Sequence, residues 1–304
     1  MSPATVVIPV DAIRQAHPEV FARPARALRR QIAWTTLAIA ALIGGMIYLG
    51  FDLSRIVQGF DRMTRIFFGL LRPHAGGAFP ELLWALFESI AMAFLGTLMA
   101  SLVALVLGFL GARNIIPIRL LRFPLRRIFD CLRGTDSLVW ALIYVRAVGL
   151  GPLAGVLAIA SSDIGTLSKL FAEAVEDSNR HPGEGVRASG GNRLQVIRFG
   201  ILPQVLPVML TNALYMFESN VRSATILGIV GAGGIGFQLS DRIRAHRWEE
   251  VSFIILMIIV AVCLIDMASR ALRSRFINAG LQARQGLSQL PGAEQHDADL
   301  VTPS

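Results

Sequence analysis

The sequence predicts an all-α integral membrane protein with about six transmembrane helices. Of its 304 residues, 54% are hydrophobic and only 16% are charged. The apolar residues are gathered in long runs, and arginine-rich polar stretches separate these runs. A soluble domain of this length needs less apolar surface for its core, so the surplus is expected to face lipid.

A helix needs about 20 mostly apolar residues to cross the hydrocarbon core of a bilayer. Six stretches meet this condition, and a Gly-rich apolar stretch, 224–239, is a candidate to re-enter the membrane without crossing it. The third of the six stretches, 128–148, is the weakest candidate because it holds four charged residues, so we expect it to pack inside the bundle. The six stretches are 32–51, 83–111, 128–148, 151–170, 201–218 and 251–268.

Charge predicts the orientation of these spans. Twenty of the 29 Lys and Arg residues fall on the side of both termini and nine on the other side, so both termini are predicted to be cytoplasmic. The first 30 residues carry five arginines before any apolar run, unlike a cleavable signal peptide. Four parts result: a cytoplasmic tail (1–30), a first helix with an extracytoplasmic loop (31–82), a membrane core (83–277) with a cytoplasmic loop at 176–200, and a disordered cytoplasmic tail (278–304).

The net charge of +8 indicates an anionic partner. Because the arginines cluster beside apolar segments, the lipid bilayer is favoured and nucleic acid is not. Cys131 and Cys263 are the only cysteines and give no disulfide framework. The five histidines have no ligand spacing around them, and we find no nucleophile–base constellation. No metal site and no enzymatic activity are therefore predicted.

The most informative polar segment is the cytoplasmic loop from His181 to Pro203. Pro182 can open a short helix, Glu184 suits the positive end of its dipole, and Gly190 permits a sharp bend. Such a helix, with one apolar stripe and flanking arginines, either docks in a groove of a partner or lies on anionic lipid.

The loop resembles the EAA loop of ABC importer permeases, which inserts into a cleft of the ATP-hydrolysing subunit. The spacing of Glu184, Gly190 and Leu202-Pro203 carries the resemblance. Gly185 replaces an alanine of the general pattern, as in the phosphonate-importer (PhnE-type) permeases. Further blocks are similar to the same family over residues 88–97, 138–142, 149–155, 169–174 and 217–236.

The resemblance implies a MetI-like ABC permease bundle in the bacterial inner (plasma) membrane, with residues 83–277 as the permease core. It implies a homodimer that works with ABC ATPase subunits and an extracytoplasmic solute-binding protein, and that carries organophosphonates. Phosphite, phosphate or another small oxyanion remains open as the substrate, and a secondary transporter is the alternative from another class. The coupling residues would be Glu184, Gly185, Arg187, Ala188, Gly190, Leu202 and Pro203.

ATP hydrolysis is expected to occur on a separate subunit. A Walker A loop ends in Gly-Lys-Ser/Thr, and the only lysine of this chain, Lys169, lies in Leu-Ser-Lys-Leu. No cofactor is therefore predicted to bind to this chain, and ATP would be hydrolysed by the partner.

Charged residues within spans are costly and commonly line a path or pair inside the bundle. Glu218 and Arg222 are four residues apart, so they form either an internal ion pair or part of an oxyanion path, to which Arg146 could also lend positive potential.

The glycine run 231–236 fits G-x-G-x-x-G, but a dinucleotide site needs a βαβ unit in water. We expect these glycines to break a helix beside the path. The path candidates are Arg146, Glu218, Arg222, Gly231, Gly233 and Gly234.

Overall fold

The computed structural model describes residues 25–51, 53–116 and 119–288, and all regular structure in these ranges is helical. Two π-helical turns, Val196–Ile201 and Gly228–Ala232, precede and follow α9. The helices are α1 Ala25–Tyr48, α2 Leu53–Leu70, α3 Phe79–Gly111, α4 Arg119–Gly134, α5 Ser137–Val148, α6 Pro152–Glu176, α7 His181–Ala188, α8 Arg193–Gln195, α9 Leu202–Leu227, α10 Gly234–Arg244 and α11 Trp248–Ser288.

The chain divides into two units, Met1–Arg65 and Ile66–Ser304. In the first unit, α1 is apolar over Leu28–Tyr48 and its described side chains are mostly exposed, as a lipid-facing span requires. Residues 25–30 of the predicted N-terminal tail belong to α1, and residues 1–24 lie outside the described residues.

The second unit is organised around α3 and α6, which pack closely because small residues line their contact. A Cβ on Gly96 would lie 2.7 Å from Cβ of Ile159, and one on Gly108 would lie 2.6 Å from Cβ of Phe171. The two helices end side by side, since the Asn114 amide donates hydrogen bonds to the carbonyl oxygens of Val175 and Glu176 at 3.2 and 3.1 Å. We call this end of the bundle, where Asn114 meets Glu176, the Glu176 end.

The opposite end is where α11 begins, and we call it the Trp248 end. There the first turns of α3 and α11 enclose α10, with Leu82, Ile235 and Ile254 fully buried. Two further apolar clusters fill the bundle between α3, α6 and α9, around Ile159 and Leu227 in one and around Phe171 in the other. The second unit therefore has three buried apolar clusters, one at the Trp248 end and two between α3, α6 and α9.

The prediction of the third span as one helix over residues 128–148 is wrong. The segment forms α4 and α5, which meet at Asp136, where the carboxylate accepts a hydrogen bond from the backbone N–H of Leu138 at 2.8 Å and caps α5. Because α3 and α6 both end at the Glu176 end, α4 and α5 together return the chain to the Trp248 end. Helix α5 has 12 residues, whereas a single helix needs about 20 residues to cross a bilayer.

Within the described ranges, five helical segments are long and apolar enough to cross a membrane. With the crossing that α4 and α5 share, they give the predicted total of about six. Residues 278–288 of the predicted C-terminal tail continue α11, and residues 289–304 lie outside the described residues. The spanning segments are Leu28–Tyr48, Phe79–Gly111, Pro152–Glu176, Arg193–Ala232 and Trp248–Ser274.

Candidate functional site

The segment from His181 to Ile201 forms a helical hairpin at the Glu176 end. Helix α7 ends at Ala188, and the turn after it contains Gly190, whose φ of +82° is strained for any residue with a side chain. The N–H of Gly190 donates to the carbonyl of Arg187 at 2.9 Å, and the N–H of Gly191 donates to that of Val186 at 2.9 Å. The predicted bend at Gly190 is therefore confirmed.

The second arm of the hairpin joins α9 without a break. Asn192 and Gln195 form a capping box, in which the Asn192 side chain accepts from Gln195 N at 2.9 Å and the Gln195 side chain accepts from Asn192 N at 2.7 Å. A π-helical turn follows, and α9 begins at Leu202 with Pro203 in its first turn. The second arm is therefore continuous in helical structure with a spanning segment.

The two arms touch through glycines. A Cβ on Gly200 would lie 2.8 Å from Cα of Gly183, closer than real side-chain carbons approach, so glycine is needed at residue 200. The Gln204 side chain of α9 also holds the turn that precedes α7, because its amide donates to the carbonyl of Asn179 at 3.2 Å while its oxygen accepts from Asn179 N at 3.2 Å. These contacts hold α7 close to the start of α9.

The outer surface of α7 is exposed. The Glu184 side chain is 64% exposed, and His181 Nδ1 lies 3.6 Å from one of its carboxylate oxygens. Gly185, Arg187 and Ala188 are exposed as well. The structure therefore brings five of the seven predicted coupling residues together on one protruding element, with Leu202 and Pro203 at its junction with α9.

Two of the predicted path residues belong to a charge network between α9 and α11. Arg222 Nη1 lies 3.9 Å from a Glu218 carboxylate oxygen and 3.8 Å from one of Asp266. Arg273 donates a hydrogen bond to the other Glu218 oxygen at 3.0 Å. The predicted ion pair exists, but Arg273 holds Glu218 more closely than Arg222 does. Within the described ranges, Arg222 donates no hydrogen bond, and its side chain is 49% exposed.

The predicted path glycines form a tight reversal between α9 and α10. Gly231, Gly233 and Gly234 have φ values of +107°, +83° and +68°. The reversal packs on α3, where the Ser89 hydroxyl accepts a hydrogen bond from the N–H of Ile235 at 2.9 Å. The part of the chain that the structure describes contains helices on both sides of these glycines and no strand, so the βαβ unit of a dinucleotide site is not formed.

Arg146 stands apart from the α9–α11 network. It lies in the last turn of α5, and the turn after it reaches the glycine reversal, since the N–H of Gly151 donates to the carbonyl of Gly231 at 3.1 Å. No acidic side chain within the described residues lies within 4.0 Å of Arg146. Those residues also contain no group of three or more His, Cys, Asp or Glu side chains placed to hold a metal.

Sequence reasoning missed a buried polar hub that joins three helices. The Asn220 amide of α9 donates hydrogen bonds to Thr97 of α3, at 2.8 Å, and to the carboxyl of Asp163 of α6. All three side chains are at least 94% buried. The sequence contained one signal for this hub, Asp163 in the fourth predicted span. A carboxyl in hydrocarbon needs a polar partner, so Asp163 indicated that another polar side chain lies beside it.

Comparison with known proteins decides the family. Residues 104–278 match the family model described as "Binding-protein-dependent transport system inner membrane component", which is more than half of the chain. The chain belongs to this permease family. The phosphite transport system permease protein PtxC of Stutzerimonas stutzeri is 35% identical over 249 residues, 80% of this chain and 90% of its own length.

Two further likenesses agree with this family. The putative cryptic phosphonate transport system permease protein PhnE2 of Escherichia coli (strain K12) is 49% identical over 121 residues, 40% of this chain and 99% of its own length. The inward-facing MetNI methionine ABC transporter has a similar fold, with a TM-score of 0.56 at 20% identity, over 64% of this chain and 95% of that chain. The predicted PhnE-type ABC permease, its MetI-like all-α fold and its place in the inner membrane are confirmed.

Proposed function

We propose that this permease forms the translocation path of an ATP-driven importer for organophosphonates. The phosphite and phosphonate permeases that it resembles carry, by their names, compounds of one chemical type, a phosphorus atom bearing several oxygens. Phosphite, phosphate and other small oxyanions are alternative substrates in this proposal, because we expect the extracytoplasmic binding protein, more than the permease, to select the substrate. Each unlabelled anion is added as a competitor while uptake of a labelled phosphonate is measured, and the degree of inhibition ranks the anions as substrates.

Coupling to separate ATPase subunits is proposed to pass through the hairpin. The observation that carries this proposal is the exposed α7 surface with Glu184, joined without a break to α9 through the Asn192 capping box. Closure of two ATPase subunits would push the hairpin and tilt α9. In this scheme the ATPases hydrolyse ATP, and the permease binds no cofactor and catalyses no reaction.

Co-purification with the ATPase subunits tests this proposal. Glu184→Lys reverses a charge on the exposed surface of α7, and we expect it to remove the ATPase from the purified complex. Glu249→Lys makes the same charge change on an exposed residue at the Trp248 end and serves as the matched control. Equal recovery of the ATPase with both variants would refute docking through α7.

A second copy of the permease is proposed to complete the path. Arg222 is 49% exposed within the spanning segment Arg193–Ala232, and a charge in hydrocarbon costs about 2.5 to 3.5 kcal/mol at a helix centre. Protein or water must therefore cover it, and a homodimer with a water-filled path between its copies provides both. Chemical cross-linking in membranes, followed by mass determination, measures the number of copies.

Arg146, Glu218 and Arg222 are proposed to line this path, with the reversal at Gly231, Gly233 and Gly234 towards its extracytoplasmic end. The distribution of Lys and Arg supports this orientation, with both termini cytoplasmic. Uptake by Arg222→Gln and Arg146→Gln variants tests the role of positive charge. Parental uptake by both variants at equal abundance in the membrane would remove these residues from the path.

A further inference from the structure

A cationic pocket lies where α4 meets α6, close to the Glu176 end. Its cavity of about 70 Å³ is lined by Arg126, Arg127, Asp130 and Lys169, together with Phe129 and Ala172. Three cations therefore surround one acid. The coupling hairpin and the predicted path residues contribute nothing to its lining.

One of the three cations holds the fold together. Arg126 donates hydrogen bonds from Nε and Nη2 to the carbonyl oxygen of Gly111, each at 3.3 Å, and pairs with Glu176. Phe129, on the same side of α4, is 1% exposed. A Cβ on Gly165 of α6 would lie 2.7 Å from the Phe129 carbonyl oxygen, so α4 is held directly against the backbone of α6. The pocket is thus preformed.

The other two cations share a single carboxylate. Lys169 Nζ donates a hydrogen bond to Asp130 Oδ1 at 3.1 Å, and Arg127 Nη2 lies 3.0 Å from Asp130 Oδ2. A lysine has three N–H donors and an arginine five, so both retain donors after binding Asp130. The pocket keeps a net positive charge.

Exposed apolar side chains lie beside these cations. The Arg127 guanidinium lies 5.5 Å from the centre of the Phe123 ring. Phe123 is 66% exposed, and Leu120, one turn earlier on α4, is 88% exposed. A free inorganic anion would gain nothing from this apolar surface, whereas an amphiphile uses both parts.

The position along the bundle matches a lipid headgroup. Lys169 lies seven residues before the end of α6, about 10 Å along the helix at 1.5 Å per residue. A long basic side chain at this height extends toward the membrane surface. The sequence of α4 contains five arginines and one acid, so anionic headgroups are favoured over zwitterionic ones.

We propose that this pocket is a binding site for an anionic phospholipid, with its phosphate on Arg127 and Lys169 and an acyl chain against Phe123 and Leu120. The site fixes the joint between α4 and α6 to the bilayer. It depends on neither the ATPase partner nor the transported substrate.

Native mass spectrometry of the full chain, released from nanodiscs of equal parts phosphatidylglycerol and phosphatidylcholine, tests this proposal. The parent protein is expected to retain phosphatidylglycerol preferentially. Arg127→Gln and Lys169→Gln each leave Asp130 with one cation, and each is expected to lower this preference about fivefold. Asp130→Asn is expected to raise it, which a merely structural ion pair would not do. Arg244→Gln, an exposed change at the Trp248 end, is expected to leave it unchanged.

Four results would overturn the proposal. Equal retention of the two lipids by the parent, or an Asp130→Asn variant that does not exceed the parent, would each exclude an anionic lipid site. Displacement of the lipid by inorganic phosphate would assign the pocket to a free anion. Loss of the ATPase from the Arg127→Gln complex at parental lipid retention would assign the α4 surface to protein docking.

Discussion

Replacing Gly200 by valine is expected to uncouple ATP hydrolysis from transport while the permease stays folded in the membrane. A Cβ at residue 200 would lie 2.8 Å from Cα of Gly183 and 3.0 Å from its nitrogen. Ordinary contacts begin at 3.4 Å, so α7 must move outward by about 0.6 Å for the Cβ alone and further for the two methyl groups. Overpacking of this kind costs about 1 to 3 kcal/mol.

That cost lowers the population of hairpins whose two arms are in contact. The decrease is about fivefold to 150-fold, because 1.36 kcal/mol corresponds to a factor of ten. The assay reconstitutes the importer in proteoliposomes and measures ATP hydrolysed per labelled phosphonate taken up. We expect this ratio to rise at least fivefold for Gly200→Val and less for Gly200→Ala. Gly59→Val, in a helix with nothing within 4 Å of the new Cβ, is the control. A parental ratio for Gly200→Val would refute the argument that close contact between the two arms transmits motion.

Three further predictions concern stability, each measured as the shift in the thermal unfolding midpoint of the detergent-solubilised protein. Asn220→Leu leaves the buried Asp163 carboxyl without its amide partner and is expected to cost about 1 to 3 kcal/mol; an unchanged midpoint would show that the hub is not stabilising. Arg242→Ala removes one of the two arginines that pair with the buried Glu250 carboxylate at the Trp248 end and leaves Arg247 as the other, so it is expected to cost about 1.5 to 3 kcal/mol. Arg244→Ala, an exposed change, is expected to cost less than about 0.5 kcal/mol; equal shifts would contradict a role for the buried pair. Asp136→Ala removes the cap of α5 and is expected to cost about 1 kcal/mol, and Asp136→Asn is expected to restore most of it.

Apolar runs predicted the membrane helices well because crossing a bilayer imposes a length and a composition. The spans at residues 83–111 and 151–170 correspond to α3 and most of α6. The third span was harder to predict, because its charges have roles that a hydropathy count does not distinguish. Asp130 pairs with Lys169 of α6, and Asp136 caps α5.

The hairpin from His181 to Ile201 was predictable from local signals, whereas the packing between helices was not. A proline, an acid in the first turn and a glycine bend are local features, and they placed α7 and the bend at Gly190 that follows it. The partners of Arg222 and Asn220 lie on helices distant in sequence. Spacing within α9 showed Glu218 four residues before Arg222 and gave no indication of Asp266 or Arg273.

Site-specific photo-cross-linking tests the central claim, that α7 docks on a separate ATPase, most directly. A photoreactive residue replaces Ala188, exposed at the end of α7, or Ala245, exposed at the Trp248 end, and cross-links form in membranes of cells that make the whole importer. The account predicts a cross-link from residue 188 to the ATPase subunit and none to it from residue 245. A cross-link to the ATPase from residue 245, or its absence from residue 188, would contradict the account.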